Sequence, residues 1–158
     1  MKKFKVFNIE FDGMDKSGKD SIMRQIFSCR PNMYIPKSRG IMSQIAYGKM
    51  FNRDYEYELE SGYCKNTLFV YLTVNEDDWN IRCDLTNEHA LNEKRKDVES
   101  KITYNKSNIC FEYAYEYILK YFKENGISED HIMKFNTSEY TPVQIIKLVC
   151  ERLDKMNQ

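Results

Sequence analysis

The chain has no net charge, no long apolar run, no C-x-x-C pair and no low-complexity tract. Its 24 Lys and Arg residues cancel its 24 Asp and Glu residues. No global basic field therefore exists to hold a nucleic-acid polymer or an anionic membrane, and any bound anion must be held by a local constellation. No stretch reaches the roughly 18 apolar residues that a membrane span requires. The opening "MKKFKVFNIEF" has basic residues but no apolar core of signal-peptide length. The five cysteines, Cys29, Cys64, Cys83, Cys110 and Cys150, are scattered and odd in number. That pattern excludes a disulfide framework and a zinc site, and it suits ordinary thiols in a reducing compartment. A cytoplasmic location is expected, the host cytoplasm if the source is viral. The 158 residues fit one domain, 1–158, with neither repeat nor linker inside it.

What is present alternates. "FKVFNIEF" (Phe4–Phe11) is rich in β-branched and aromatic residues and reads as a strand. "KDSIMRQIFSC" has the apolar spacing of a helix, and "RPN" breaks it. "MYIP" (Met33–Pro36) is a short extended run, with Pro36 near its end or at an irregular edge. A helix is expected from near Gly40 to near Arg53, then a polar connection, "DYEYELESGYCKN". "TLFVYLTV" (Thr67–Val74) is a near-continuous apolar run that suits a parallel strand covered on both faces. Acidic residues at 76–78 suit a helix start, and "NICFEYAYEYILKYFKENG" is a long amphipathic helix stopped by Gly126. A short strand at His131–Phe135 and a last helix capped by Thr141, with Pro142 at its first position, complete the chain. The alternation predicts an α/β fold with a parallel sheet and helices on both faces.

One stretch carries chemistry. "DGMDKSGKDSI" (Asp12–Ile22) has Gly13, four residues, then Gly18 and Lys19, placed between a predicted strand and a predicted helix. Such a loop wraps backbone N–H groups around phosphate oxygens, and the helix N-terminus adds positive potential. Residues 13–21, Gly13, Met14, Asp15, Lys16, Ser17, Gly18, Lys19, Asp20 and Ser21, are the candidate ATP-binding set, with Lys19 reaching the β- and γ-phosphates. Asp20 stands where a Ser or Thr usually holds Mg²⁺. A carboxylate is also a hard oxygen donor, so Asp20 and the adjacent Ser21 are the candidate metal ligands.

On these residues the chain resembles the thymidylate kinase family of P-loop nucleoside-monophosphate kinases. "IEFDGMDKSGKDS" is similar to the family's first strand and loop, with Asp12 on the family acid and Asp15 on its in-loop carboxylate. "SRGIMSQIAYGKMFNR" (Ser38–Arg53) is similar to the family's D-R segment, with Arg39, Ser43, Ala46 and Tyr47 on the pattern. The likeness is greatest to short phage-encoded members. It implies a P-loop three-layer fold with about four strands ordered 2-1-3-4, because the strand and two helices usual before the D-R segment are missing. It implies that Asp15, Arg39, Ser43 and Tyr47 bind the monophosphate, Asp15 at the sugar and Arg39 at the phosphate. Lys19, Lys16, Arg39 and Arg82 are implied as catalytic, neutralising charge on the transferring phosphoryl group. Residues 88–101 would form a lid, with Lys94, Arg95 and Lys96 covering the phosphates, and the loop Asn136–Pro142 would cradle the adenine. A homodimer through a helical face is also implied. Ser38 departs from the pattern, which has Asp there to organise Mg²⁺.

The expected function is phosphorylation of a nucleoside monophosphate by ATP with Mg²⁺, with dTMP or a related deoxypyrimidine monophosphate as acceptor. Two alternatives stay open: a nucleotide-binding protein with weak or no catalysis, and a kinase for a nucleoside or other small acceptor.

Overall fold

Two strand patterns build the centre of the molecule. In the computed structural model, which describes residues 5–30, 34–53, 59–85 and 103–158, β1 (Asn8–Asp12) turns Ile9 and Phe11 to one face and Glu10 and Asp12 to the other. The later strand, Thr67–Thr73, is apolar on both faces: Leu68, Val70 and Leu72 join one core, Phe69 and Tyr71 the other.

The elements follow in the order β1, α1 (Lys19–Cys29), β2 (Ile35–Ser38), α2 (Ile41–Met50), α3 (Ser61–Lys65), β3 (Thr67–Thr73), α4 (Glu76–Leu85), α5 (Tyr104–Glu124), β4 (Ile132–Asn136) and α6 (Pro142–Met156). A 3-10 turn, Glu129–His131, precedes β4. All strand pairs are parallel and the order is β2-β1-β3-β4. The expected four-strand sheet in the order 2-1-3-4, with helices on both faces, is the one observed.

Each face has its own core. Ile22 and Ile26 of α1 and Ile145, Val149 and Leu153 of α6 cover one side. Met42, Ile45 and Ala46 of α2 pack with Phe111, Ala114, Ile118 and Phe122 of α5 on the other. The aromatic residues of α5 are split accordingly. Phe111 is core, whereas Tyr113 and Tyr117 are exposed, with the Lys49 ammonium 4.0 Å from the Tyr113 ring centre.

Two sequence expectations need correction. The second strand runs Ile35–Ser38, not Met33–Pro36. The connection after α2 holds a short helix, α3, where only a polar link was expected. The expected lid, 88–101, with Lys94, Arg95 and Lys96, lies outside the described residues, as do residues 54–58 of the tyrosine-rich connection. No helix among the described residues is long and apolar enough to cross a membrane.

Candidate functional site

The chain leaves β1 for β2 on one side and later returns to β3 on the other. The crevice beyond the C-terminal ends of β1 and β3 is where open parallel sheets bind ligands. Residues 13–18 fill that place. The loop lies hard against β3: a Cβ on Gly13 would collide with the Leu72 carbonyl oxygen, so only glycine fits. Gly18, left-handed at φ 94°, caps α1 without a side-chain hydrogen bond. The free N–H groups of the first α1 turn, with the helix dipole behind them, form a ready anion site.

Lys19 is buried, and its Nζ donates to the carbonyls of Gly13 at 2.5 Å and Met14 at 3.1 Å. Burial, its largest influence, holds the ammonium below the ordinary lysine value, partly offset by Asp15. The charge is thus stored across the loop. Nearby, Asp12 Oδ2 and Ser17 Oγ are buried with no hydrogen-bond partner among the described residues. Orphaned buried atoms of this kind require an explanation beyond packing.

Asp15 and Arg39 meet at the mouth of the loop, with Arg39 Nη2 3.3 Å from Asp15 Oδ1. Their side chains are 65% and 61% exposed, so the pair is water-screened and free to open. Among the described residues three non-glycines have positive φ, and two of them are Lys16 (65°) and Arg39 (57°). Backbone strain of this kind gathers at functional sites. Tyr47 lines the same region. It stacks edge-on against Phe111 at 5.7 Å, and its hydroxyl is pushed up to about 12, by burial first and then by Asp15.

Not every expected contact is as the sequence suggested. Ser43 is buried, and its hydroxyl donates to Asp12 Oδ1 at 2.6 Å. In this position it holds α2 against β1. Arg82 is committed too. Its Nη1 donates to the Lys16 carbonyl at 2.7 Å and to Thr137 Oγ1 at 3.0 Å, and its Nη2 to the Thr137 carbonyl at 3.3 Å. Arg82 therefore ties the glycine loop to the loop after β4. Trp79, one helical turn earlier, donates its indole N–H to the Asp15 carbonyl at 3.1 Å. Thr137 is also bound to the Thr73 carbonyl through its N–H at 2.8 Å and its hydroxyl at 3.0 Å. Thr137, in the segment Asn136–Pro142, thus sits beside the glycine loop.

Asp20 and Ser21 occupy the first turn of α1 and are exposed. No three His, Cys, Asp or Glu residues among the described ones converge into a metal cage. Mg²⁺ seldom uses such a cage. It takes one or two protein oxygens and completes its shell with phosphate oxygens and water. The hard oxygen donors of Asp20 and Ser21, next to the glycine loop, fit that mode.

Two residues of the site were not anticipated: Glu10 and Trp79. Glu10 was readable in principle, as an acid two positions before Asp12 in a central strand. Trp79 acts only through a contact far apart in sequence.

No protein-family model, no curated protein and no solved structure matches this chain.

Proposed function

We propose that the protein is a nucleoside-monophosphate kinase, moving the γ-phosphoryl group of ATP to a deoxypyrimidine monophosphate such as dTMP. The observation that carries this reading is the Asp15–Arg39 pair at 3.3 Å, set at the mouth of a glycine loop with Lys19 folded across it. A hydrolase needs a cradle for the donor. A transferase also needs a group for the second phosphate, and Arg39 supplies a forked donor for one.

Phosphoryl transfer asks little covalent chemistry of a protein; positioning and charge neutralisation carry the rate. In this reading the α1 N-terminus binds the β-phosphate, and Lys19 leaves its two carbonyls to neutralise the transferring group together with Lys16. Arg39 releases Asp15 and takes the acceptor phosphate, which frees Asp15 for the sugar. Asp20 and Ser21 would hold Mg²⁺, which would supply positive charge against the phosphates of the donor. Cytoplasmic action on small nucleotides, without a nucleic-acid polymer or a membrane, belongs to the same reading.

A second reading, nucleotide binding with little turnover, is favoured by Ser38. It ends β2 beside the C-terminal end of β1, paired with Phe11, where a carboxylate would help organise the metal. The two readings part in one assay. Protein with ATP and Mg²⁺ is offered a panel of nucleoside monophosphates and nucleosides, with Lys19→Ala and Ser38→Asp alongside. The kinase reading expects a diphosphate product and a loss of about a hundredfold or more in Lys19→Ala. Tight ATP binding without any product supports the binder. Product from nucleosides alone points to the other acceptor class. A large gain in Ser38→Asp identifies the native site as a weakened one.

A further inference from the structure

The first turn of α2 is capped from outside the helix. Its own N-cap position, Gly40, provides no side-chain hydrogen bond. Two carboxylates of β1 do so instead. Asp12 Oδ1 accepts from the N–H of Gly40 at 2.8 Å, the N–H of Ser43 at 3.2 Å and the Ser43 hydroxyl at 2.6 Å. Glu10 Oε2 accepts from the Ile41 N–H at 3.3 Å. Its Oε1 accepts from the Tyr63 hydroxyl at 2.5 Å and lies 3.9 Å from Lys37 Nζ.

Both carboxylates are fully buried. Two acids on one face of a central strand are costly, through desolvation and through mutual repulsion. Packing does not call for Glu10, since an apolar side chain there would join the neighbouring core. What Glu10 touches is the Gly40–Ile41 peptide, one residue beyond Arg39, while Asp12 holds the N–H of Gly40. A Cβ on Gly40 would collide with the Glu10 carboxylate, so the acid lies directly beneath that turn. Arg39 is left-handed at φ 57°, with its N–H held by the Phe11 carbonyl at 3.3 Å. The strained residue is thus clamped on both sides, by β1 backbone before it and by the two carboxylates after it.

We propose that Glu10, held by Tyr63, is a positioning residue that locks the turn before α2 and so fixes where Arg39 presents its guanidinium to an acceptor phosphate. This rests on the reading of Arg39 as the acceptor-phosphate group. Glu10 itself touches no nucleotide and acts through Gly40 and Ile41.

The test uses Glu10→Gln, which keeps the shape, and Tyr63→Phe, which removes one hydroxyl from a half-buried ring. KM for dTMP, KM for ATP and kcat are measured for each. Affinities for dTMP and ATP are measured separately by calorimetry, with the thermal midpoint as a check of folding. The expected result is a rise of about tenfold in KM and Kd for dTMP in Glu10→Gln and a smaller rise in Tyr63→Phe, with ATP values within about twofold. In an Arg39→Ala background Glu10→Gln should add no further loss of dTMP affinity, because the two changes act through one contact. Equal losses for ATP and dTMP, no loss for either, or full additivity with Arg39→Ala overturns the inference. A wild-type protein that binds dTMP but yields no product from any acceptor defeats the kinase reading alone, and the calorimetric comparison still decides the role of Glu10. A wild-type protein that binds no monophosphate overturns both.

Discussion

Glu10 lies at the centre of β1 with none of its surface exposed, where a valine or isoleucine would be ordinary. Its carboxyl is held above the ordinary 4.5, by burial first, against the lowering effect of the Tyr63 hydroxyl. The consequence for stability has a definite sign. Over the range between 4.5 and the raised folded value, the folded chain keeps a proton that the unfolded chain has released. Stability contributed at this group therefore falls as pH rises through that window. Glu10→Gln removes the titration, so its unfolding free energy should gain on that of the wild type from pH ~4 towards neutrality. Urea midpoints across that range provide the measurement, and a stability difference, variant minus wild type, that stays flat or falls as pH rises contradicts the assignment. The same residue shows what a sequence does and does not give up. The glycine loop between β1 and α1 was legible because Gly13, Gly18 and Lys19 stand at fixed local spacing between a strand pattern and a helix pattern. Glu10 was passed over because its partners, Ile41 and Tyr63, are 31 and 53 positions away.

At the scale of elements, legibility followed how local the determining forces were. The start of α6 is set within four residues. Thr141 Oγ1 accepts from the Gln144 N–H at 3.2 Å, the Gln144 side chain accepts from the Thr141 N–H at 2.8 Å, and Pro142 fills the first helical position. Thr141→Ala should cost about 1 kcal/mol, read as a lower urea midpoint with an unchanged slope. A loss below about 0.3 kcal/mol would mean that packing of Ile145 and Val149 alone sets the helix start. β2 was misplaced for the opposite reason. Pro36 looked like the end of a strand, yet Ile35 and Arg39 donate to Phe7 and Phe11 of the neighbouring segment. Alternate positions thus face β1, and position 36 faces outward from an edge strand, where a missing N–H costs nothing. Only the sheet order reveals that. The acidic start of α4 was read from Glu76, Asp77 and Asp78, but its use as a brace was not, because Trp79 and Arg82 reach loops about 60 residues away on either side.

Across the whole molecule, that brace joins three parts that the chain keeps far apart: the loop after β1, the helix after β3 and the loop after β4. Trp79 holds the Asp15 carbonyl, Arg82 holds Lys16 and Thr137, and Thr137 is fastened to the end of β3. A ligand that draws Lys19 off the Gly13 and Met14 carbonyls must disturb the loop apex, and the apex is gripped by α4. Trp79 is the only tryptophan in the chain, and its indole N–H is one of the grips. Its fluorescence is therefore a built-in reporter of the loop. Saturating ATP with Mg²⁺ should shift or quench the emission along a one-site curve matching the calorimetric Kd. Lys19→Ala should keep the unliganded spectrum and lose the response. Arg82→Ala, which releases the other grip, should retain binding while changing the size of the response. If ATP binds the wild type by calorimetry and the emission does not move, the loop and α4 are one rigid body. Nucleotide would then be received without any adjustment passing from the loop to α4.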